Sequence, residues 1–584
     1  MRHWLCGLAL LAAFAAAPVW GAVVFDGVAA GDMTDRDVIL WTRAMDNAGA
    51  AWVVAEVATD PGFRRVVWSA GGATIPANDF TLKLNPIGLK SGTRYYYRFV
   101  ADTMSGTGQF RTAPAASQRA AVRFGFSGDA DGRFRPYPTI VDIGRQNLDF
   151  FVFNGDTMYE TASGTASPAV PALTAASTPE QATAALTAYN QKYAENIVGV
   201  APDGGMSRSG QPGLRPLFAA TGHYTLLDNH ELGNVALQSG GAPPTLLKSR
   251  GARDTDVNGT GSFQNQTMPF LTLQKSYFNY HPTRSDIVGA PASGLTVVGP
   301  KVEAPEDPRS HGTPRQYFAQ GWGRRMLYVQ IDDRSYRDAR LGDENGRELP
   351  GPDARGDNTA RTMLGATQLA WLKRTLLAAK ASGVTWIFIG ISTPIDMVGD
   401  PPAGQKQDQK SWYGGYRAER TALLSFIADN AIRHVVFLAT DDHMTRLTRL
   451  AYGDKKLVPD AFQIVTGPIG AGGPDWMKEH DIGTVLTAIA PRIESQAALG
   501  QPLDGLKGLP GLVNVWREMR PEADKKREPV DFISPDTFGY AVLAVDEKGV
   551  LTVTVLGIPS YQPNANFAGR ADPAHRILSF QVRP

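Results

Sequence analysis

The sequence predicts an all-β N-terminal region followed by a larger α/β domain, and three observations support this. Short runs of β-branched and aromatic residues, separated by Gly, Pro and Asp, fill residues 22–115. From residue 116 onward, apolar strands alternate with helix-like segments, which is typical of parallel strands joined by crossover helices. The chain has 584 residues, too many for one hydrophobic core. We therefore expect one domain at 22–115 and a second at 116–584.

The first 21 residues have the pattern of an export signal. One Arg precedes an apolar run from Leu5 to Ala17, and small residues follow up to Gly21. This run is too short to span a bilayer, and no twin-Arg pair is present. We therefore expect a Sec-type signal peptide at 1–21 and a periplasmic or extracellular protein, with a membrane anchor as the alternative. The only cysteine, Cys6, lies inside this segment, so the mature chain would carry no thiol.

The overall charge gives no reason to expect a nucleic-acid or membrane-surface partner. The formal net charge is +1, and both signs are spread along the chain without a basic stripe or a polybasic tail. No apolar run after the N-terminal segment is long enough to cross a membrane, so we expect no transmembrane segment.

The N-terminal β region carries the spacing of a tyrosine corner. Its predicted strands include "DVILWTRA", "AWVVAEVAT", "RRVVWSAG" and "TRYYYRFVAD". The corner is indicated by Leu89, Gly92, Thr93 and Tyr95. The region resembles a fibronectin type III-like (immunoglobulin-like) sandwich, and a generic β-sandwich is the alternative.

The α/β domain opens with a predicted βαβ unit. "AVRFGFSGDADG" reads as a buried strand and its exit loop, "PYPTIVDIGRQN" as a helix and "LDFFVFNGD" as a second buried strand. The same order recurs later, in the strand "RRMLYVQ", the helix "TMLGATQLAWLKRTLLAAKASG", the strand "VTWIFIGIS", the helix "AERTALLSFIADNAI" and the strand "RHVVFLATDDH". Residues 161–185 and 235–315 break the pattern and are predicted to be lids, binding loops or disordered segments.

Five predicted strands end in side chains that bind metals or phosphate. These side chains are Asp129 and Asp131; Asp156 and Tyr159; Asp228, Asn229, His230 and Glu231; Asp332, Asp333, Arg334 and Tyr336; and Asp441, Asp442 and His443. A single Asp at such a position is as well explained as a helix cap or a turn residue. Ligands of open parallel sheets bind beyond the carboxyl ends of the strands, so five such ends together predict a metal site.

The ligand types separate into two pockets. Asp129, Asp156, Tyr159 and His443 would form the first pocket, where a phenolate favours a hard, highly charged cation such as Fe(III). The second pocket would share Asp156 as a bridge. An all-oxygen set there would suit Ca, Mg or Mn better than Zn.

The second pocket would add Asn229 and Asp441 to the bridging carboxylate. His230 follows Asn229 directly and is predicted to be the general acid that protonates the leaving group, with a buried structural His as the alternative. Arg334, in an exit loop on the rim of the same site, is predicted to clamp phosphate, with a surface ion pair as the alternative.

Two short motifs indicate a family. The "GD" at 155–156 and the "NHE" at 229–231 are signatures of calcineurin-like metallophosphatases. A Tyr three residues after the Asp of "GD", as at Tyr159, is typical of purple acid phosphatases and of the alkaline phosphatase D (PhoD-like) family. The chain resembles the PhoD-like family over nearly its whole mature length. Further matching segments, in order, are "FDGVAAGDMTDRDVILWTR", "DDRSYR", "ARTMLGATQLAWL", "WYGGYRAERTALLSFI" and "VVFLATDDH".

The resemblance implies a four-layer α/β/β/α metallophosphatase domain and a secreted phosphoesterase. Its implied metals are Fe(III) and Ca(II) in a centre of two or more ions, with Mn, Mg or Zn as alternatives, and its implied reaction is attack of a metal-bound hydroxide on phosphorus. Trp412 and Tyr416 fall in the motif that lines the substrate side, or are core aromatics. The positions that match the family's metal ligands are Asp129, Asp156, Tyr159, Asn229, Asp441 and His443.

The chain also departs from the family pattern. Asp129 stands where the well-studied members have Cys, which should increase the preference for hard ions. "TDDH" replaces the usual "GDVH", and Asp131 is left out of the ligand set because broader relatives have His there.

The natural substrate stays open at this stage. We expect a monomeric enzyme acting on a small-molecule or lipid phosphate ester, either a monoester or a diester. A phospholipase-like phosphodiesterase is one alternative, since the loops at 235–315 could form a lipid pocket. A non-catalytic cell-envelope binding protein with the same fold is the other.

Overall fold

The computed structural model describes most of the chain after residue 21. The described residues are 22–47, 49–161, 170, 173–174, 176–199, 213–233, 264–288, 310–338, 359, 361–396, 413–452, 456–473, 502–504, 530–534, 537–559 and 574–584. The predicted signal peptide at 1–21, Trp412 and parts of the predicted loops at 161–185 and 235–315 lie outside them.

The described residues form strands and helices at most of the positions that the sequence predicts. The strands are β1 (Val24–Gly31), β2 (Ile39–Met45), β3 (Ala51–Ala58), β4 (Val66–Thr74), β5 (Thr81–Leu84), β6 (Arg94–Val100), β7 (Gly108–Arg111), β8 (Val122–Ser127), β9 (Phe150–Asn154), β10 (His223–Leu226), β11 (Phe318–Trp322), β12 (Met326–Gln330), β13 (Trp386–Gly390), β14 (Val435–Ala439), β15 (Thr445–Tyr452), β16 (Lys456–Val465), β17 (Pro502–Asp504), β18 (Val530–Ser534), β19 (Thr537–Val545), β20 (Leu551–Pro559) and β21 (His575–Arg583). The helices are α1 (Ile140–Gly144), α2 (Pro179–Val198), α3 (Arg215–Ala220), α4 (Met268–Tyr280), α5 (Gly365–Ser382) and α6 (Arg417–Asp429).

The longer helices begin and end at recognisable caps. Helix α2 begins at a capping box in which the side chains of Thr178 and Gln181 each bond the other's main-chain N–H. Helix α5 ends at Gly383, whose φ of 71° is a conformation that glycine adopts without strain. In the described part of the chain, no helix combines the length and the apolar character that a membrane span requires.

Ten strands form the first sheet, in the order β17-β21-β20-β19-β8-β9-β10-β1-β2-β5. Strands β8, β9, β10 and β1 are parallel neighbours. The predicted βαβ unit is confirmed as β8-α1-β9, with Phe124 in register with Phe150. Helix α1 is much shorter than predicted.

Seven strands form the second sheet, in the order β11-β12-β13-β14-β16-β15-β18. Strands β12, β13, β14 and β16 run parallel to one another. Strand β14 (Val435–Ala439) is buried along its whole length, as expected for a parallel strand covered on both faces.

The two sheets pack face to face with helices outside each of them. Aromatic side chains fill the space between the sheets, where the rings of Phe124 and Phe388 lie 5.0 Å apart between centroids. A second cluster packs α1 to α4 on the outer face of the first sheet, and a third packs α5 and α6 on the outer face of the second sheet. The layers are therefore helix, sheet, sheet and helix, as the family resemblance implies.

The N-terminal strands divide between two sheets. Strands β4, β3, β6 and β7 form a four-stranded sheet, whereas β5, β2 and β1 continue the first large sheet, where Gly31 pairs with His223. The hydroxyl oxygen of Tyr95 accepts a hydrogen bond from the main-chain N–H of Lys90 at 2.9 Å, which is the contact of a tyrosine corner. The region is β-rich as predicted; its kinship with fibronectin type III domains and its boundary at residue 115 remain predictions.

The carboxyl ends of parallel strands from both sheets meet at one edge. The side-chain amide of Asn154, at the end of β9, donates to the carbonyl oxygens of Ile391 (3.2 Å) and Leu438 (2.7 Å) in the second sheet. The hydroxyl of Thr440 donates back to the Asn154 carbonyl at 2.7 Å. The loop after β9 and the loop after β14 are therefore held side by side.

Candidate metal centre

The four predicted ligands of the first pocket come together at this edge. Three side chains each offer one ligand atom, and these atoms lie within 4.8 Å of one another: Asp129, Asp156 and His443. The Nε2 atom of His443 is 3.6 Å from Oδ1 of Asp129 and 2.9 Å from the phenol oxygen of Tyr159. These side chains form a possible metal site, and the structure places Tyr159 beside it.

The imidazole of His443 is oriented for metal binding. Its Nδ1 atom lies 2.5 Å from the carbonyl oxygen of Gly472. A carbonyl can only accept, so Nδ1 carries the proton and Nε2 is the unprotonated atom that faces Asp129. Such a bond from the second ring nitrogen fixes the tautomer of a metal-binding histidine.

The turns that carry the ligands have unusual backbone conformations. The φ angles are 60° at Asp129, 51° at Asp156, 62° at Asp441 and 51° at His443, all in the left-handed region. Such conformations cost roughly 1–3 kcal/mol each and cluster at functional sites. Gly155 has φ of 90°, and a Cβ atom there would lie 2.5 Å from Cβ of Asp228, so only glycine fits before Asp156.

The first pocket concentrates negative charge that the described residues do not neutralise. Asp129 is fully buried, and among the described residues neither of its carboxylate oxygens has a hydrogen-bond partner. Burial, and next the negative charge of Glu231, raise the pKa of Asp156 well above its usual range. Burial, and next the charge of Asp156, likewise raise the pKa of Tyr159 well above its ordinary value. A bound cation would relieve both effects, because it stabilises the ionised forms.

The predicted ligands of the second pocket lie next to the first. The charge of Asp441 is close enough to Asp156 to contribute to raising its pKa. Asn229 and Asp441 are brought together by one guanidinium, since Nη2 of Arg334 lies 3.4 Å from Oδ1 of Asn229 and 3.2 Å from Oδ2 of Asp441. The first pocket could therefore hold a cation, and the side chains predicted for the second pocket lie beside it.

Arg334 lies in the loop after β12, as predicted, but its side chain is not at the rim of the site. The side chain is fully buried. Its Nε atom donates to Oδ1 of Asp228, and this ion pair joins the one with Asp441. Burial alone would lower the pKa of Arg334, but the carboxylates of Asp228 and Asp441 raise it above its usual value. Arg334 is therefore a permanent buried cation beside the second pocket.

His230, the predicted general acid, lies beside the first pocket. Its Nδ1 atom is 2.5 Å from Oε2 of Glu160, and its Nε2 atom is 3.9 Å from Oδ2 of Asp156. The imidazole packs against Tyr159, with 3.8 Å between the ring centroids. Burial lowers the pKa of His230, but the carboxylate of Glu160 more than offsets this, so the pKa is raised.

Glu231 holds the loops after β9 and β10 in place. The sequence did not predict this role. Its carboxylate accepts hydrogen bonds from the main-chain N–H groups of Asp156 (3.0 Å), Thr157 (2.6 Å) and Asp228 (2.7 Å). The "NHE" motif contains Glu231, but the motif shows nothing of these partners. Glu160 was missed for the same reason, because a Glu after a Tyr has no signature of its own.

Other strand-end acids serve the structure of the loops. Asp131 accepts from the main-chain N–H of Arg133 at 2.9 Å and from its Nε at 2.8 Å. Asp442 forms a buried ion pair with Arg446. Asp131 and Asp442 therefore have the kind of structural role that a single Asp at a strand end commonly has.

The two predicted substrate-binding aromatics are not brought to the centre by the described contacts. Trp412 lies outside the described residues. Tyr416 is fully buried among the apolar side chains outside the second sheet, and its hydroxyl donates to the carbonyl of Asp338 at 2.6 Å. Its ring also faces the guanidinium of Arg361 at 4.8 Å. Tyr416 therefore packs as a core aromatic, the alternative that the sequence left open.

Comparisons with known proteins identify a phosphatase family. The profile of the PhoD-like phosphatase family matches residues 123–498, and that of the PhoD-like phosphatase N-terminal domain matches residues 13–114. The chain is 24% identical over 494 residues to alkaline phosphatase D of Bacillus subtilis (strain 168), covering 81% of this chain and 73% of that protein.

One solved structure has the same fold. The structure of PhoD superposes with a TM-score of 0.61 at 17% identity, covering 92% of this chain and 90% of that chain. A purple acid phosphatase from yellow lupin (Lupinus luteus) seeds gives a TM-score of 0.48 at 12% identity, covering 96% of this chain and 74% of that chain, which is too low to bear on the fold. The PhoD-like phosphatase profile alone spans more than half of the sequence. The chain therefore belongs to the PhoD-like phosphatase family of phosphoester hydrolases.

Proposed function

We propose that this protein hydrolyses phosphate monoesters, phosphate diesters or both at a two-metal centre. The observation that carries the proposal is the environment of Asp129, whose carboxylate is buried and accepts no hydrogen bond within the described part of the chain. A buried carboxylate that accepts no hydrogen bond is costly, and ligand atoms of Asp156 and His443 lie close enough to bind the same cation.

The residues present fit such a centre. The first pocket offers carboxylate, phenol and imidazole groups, a set suited to Fe(III), and the second offers carboxylate and amide oxygens, a set suited to Ca(II). Bound metal ions in two adjacent pockets would supply an activated water and would polarise a phosphoryl oxygen of the ester. Asp156 would contribute its carboxylate to both pockets.

The exposed side of the centre indicates how an ester would approach. Asp129 is fully buried, whereas Tyr159 keeps 6% of its surface exposed, His230 keeps 8%, and His443 is half-buried. The substrate would therefore enter past the three rings. The leaving group of the ester would lie towards His230, since Nε2 of that side chain lies 3.9 Å from Oδ2 of Asp156.

The proposed proton donor is the Nε2 atom of His230. The bond between Nδ1 and Glu160 fixes the ring so that Nε2 faces the centre, 3.9 Å from Asp156. Transfer of the Nε2 proton to the leaving-group oxygen would release an alcohol rather than an alkoxide, and this lowers the barrier most for poor leaving groups.

The test is hydrolysis of a chromogenic phosphate diester and the matching monoester by the mature protein. Both esters are measured with Fe and Ca supplied, after chelation, and with an Asp156→Asn variant. We expect chelator-sensitive turnover that the variant lacks, and the ratio of the two rates identifies the preferred ester. Turnover that survives both chelation and Asp156→Asn would exclude this centre. Failure of both esters in verified metal-loaded protein would favour a non-catalytic binding protein.

We also propose that the protein is exported. The apolar run from Leu5 to Ala17 and the small residues before Ala22 support this. Expression of the full chain in a bacterial host, followed by N-terminal sequencing of the exported protein, should give a start at Ala22. A protein that stays in the cytoplasm with its first residues intact would contradict export.

A further inference from the structure

The guanidinium of Arg334 connects the loops that form the second pocket. Its Nη2 atom donates to Oδ2 of Asp441 at 3.2 Å and reaches Oδ1 of Asn229 at 3.4 Å. Its Nε atom donates to Oδ1 of Asp228, the neighbour of Asn229 in the chain. One side chain therefore holds both ligands that the second pocket has besides Asp156.

The main chain of Arg334 is held in place by hydrogen bonds that lead to helix α5. Its N–H donates to Oδ1 of Asp332 at 3.0 Å. The side chain of Gln368, on helix α5, accepts from the N–H of Asp332 at 2.8 Å and donates to its carbonyl at 2.7 Å. The loop after β12 is therefore tied to α5, and Arg334 cannot swing towards the surface without breaking these bonds.

Asp228, which accepts a hydrogen bond from the Arg334 guanidinium, is also held by a contact from the second sheet. The hydroxyl of Ser392, just after β13, lies 2.8 Å from the same Oδ1 of Asp228 that accepts from Arg334. A planar guanidinium with several fixed partners offers N–H groups in set directions, which a flexible ammonium does not. The positions of Asp441 and Asn229 are therefore fixed by contacts within the protein.

These contacts argue against direct contact with a substrate phosphate. An arginine that clamps phosphate presents N–H groups towards the opening of a site, but Arg334 is fully buried. The contacts of its guanidinium given above are with oxygen atoms of the protein. Its charge adjoins the second pocket, where it would repel a trivalent ion more than a divalent ion.

We propose that Arg334 is a positioning residue for a divalent cation in the second pocket. It holds Asp441 and Asn229 in the arrangement that binds this ion, and it does not contact the phosphoryl group. The proposal rests on the proposed function, because it assigns the second of the two cations. Partners that orient metal ligands typically contribute about 10- to 100-fold to metal affinity.

The test is Ca²⁺ binding to the mature Arg334→Lys protein, measured by equilibrium dialysis and elemental analysis. Lysine keeps the charge but lacks the planar fork. We expect Ca²⁺ affinity to fall by about 10- to 100-fold, with the occupancy of the first metal unchanged. The affinity for inorganic phosphate, measured at saturating Ca²⁺, should stay as in the wild type.

The matched control is Arg43→Lys, which alters another buried arginine paired with carboxylates, those of Asp26 and Asp79. It should leave Ca²⁺ affinity unchanged, because none of these residues is a predicted ligand. Unchanged or tighter Ca²⁺ binding in Arg334→Lys, together with weaker phosphate binding, would overturn the proposal and restore the phosphate clamp.

A second variant addresses the same contact if Arg334→Lys fails to fold. Asp228→Asn weakens the anchor of the guanidinium without changing a predicted ligand, so it should also lower Ca²⁺ affinity; unchanged affinity would overturn the proposal. Wild-type protein without metal-dependent turnover would reject the proposed function itself. Wild-type turnover with unaltered Ca²⁺ binding in both variants would reject only the role of Arg334.

Discussion

The Nδ1 atom of His230 lies 2.5 Å from Oε2 of Glu160, and the two side chains form a buried pair beside the first pocket. Glu160 follows Tyr159 directly, so one loop supplies both a predicted metal ligand and the partner of the predicted acid. The pair fixes which ring nitrogen of His230 faces the metal pockets.

Replacing Glu160 with Gln should impair catalysis most for substrates with poor leaving groups. The imidazole would lose the carboxylate that orients it, so proton delivery to the leaving-group oxygen would suffer. General acid catalysis contributes about 10²- to 10⁴-fold, and we expect part of this loss with alkyl phosphate esters and little loss with nitrophenyl esters. The measurement is kcat for a series of esters of graded leaving-group pKa.

A matched control removes a carboxylate from the exposed face of helix α2. Glu180→Gln should leave all rates unchanged, because Glu180 is exposed and remote from the His230 pair. An equal loss for every ester in Glu160→Gln would mean that Glu160 supports the fold of the loop and not the delivery of a proton.

Replacing Asp129 with Asn should change stability in opposite directions with and without metal. In metal-free protein, Asn removes a buried charge that has no hydrogen-bond partner in the described structure, so the free energy of unfolding should rise by roughly 1–3 kcal/mol. In metal-saturated protein, the variant should be less stable than the wild type, because it binds the ion less tightly. Denaturant unfolding in both states measures this.

Asp131→Asn is the control for this reversal. Asp131 is equally buried but holds Arg133, so its substitution should lower stability in both states. Destabilisation by Asp129→Asn in the metal-free protein as well would contradict this prediction. Asp129 would then stabilise the fold through contacts within the protein and not through a metal.

Replacing Tyr159 with Phe should empty the first pocket selectively. The phenol oxygen lies 2.9 Å from Nε2 of His443, within the group that would hold Fe(III). We expect iron content and any visible phenolate-to-iron absorption to be lost, while Ca²⁺ bound near Asp441 is retained. Elemental analysis and an absorption spectrum test this. An unchanged spectrum and iron content would exclude Tyr159 as a ligand.

Glu419 should make stability depend on pH at a site away from the centre. Burial raises its pKa from 4.5 to about 7, although its carboxylate accepts hydrogen bonds from the main-chain N–H groups of Met363 (3.0 Å) and Leu364 (3.1 Å) at the start of α5. A raised folded-state pKa gives stability that is fully present below pH 4.5 and is lost as the pH rises through about 7.

The Glu419→Gln variant resembles the protonated form and should therefore remove this part of the pH dependence. Relative to the wild type, the variant should gain up to about 3 kcal/mol in the free energy of unfolding on going from pH 4.5 to pH 8. Urea unfolding of both proteins at the two pH values gives the difference. An identical pH dependence in the two proteins would mean that Glu419 ionises normally.

The sequence predicts much of the fold, because the spacing of apolar residues and the local composition determine where strands and helices form. The β8-α1-β9 unit and the helix Gly365–Ser382 occur where their patterns place them. The pairing of β1 with β10 was not predicted, because it joins Gly31 to His223, and no local pattern encodes a contact over that separation. The N-terminal region therefore extends the main sheet in a way that its strand pattern alone does not indicate.

The first pocket was predicted more successfully than its surroundings. Asp129, Asp156 and His443 each follow a strand, so the rule for carboxyl ends of parallel strands brings them together. The burial of Arg334 was not predictable, because it depends on Asp228 and Asp441, each more than a hundred residues away in the sequence. Two of the partners of Glu231, Asp156 and Thr157, are also distant in the sequence, so its contacts could not be predicted either.

The most direct measurement of the proposed centre is anomalous diffraction from crystals of the metal-loaded protein. We expect two anomalous peaks about 3.5–4 Å apart on either side of Asp156, one contacted by Asp129 and His443 and the other by Asp441. Peaks elsewhere in the molecule, or an empty position between Asp129, Asp156 and His443 at saturating metal, would contradict a metal centre built from these residues.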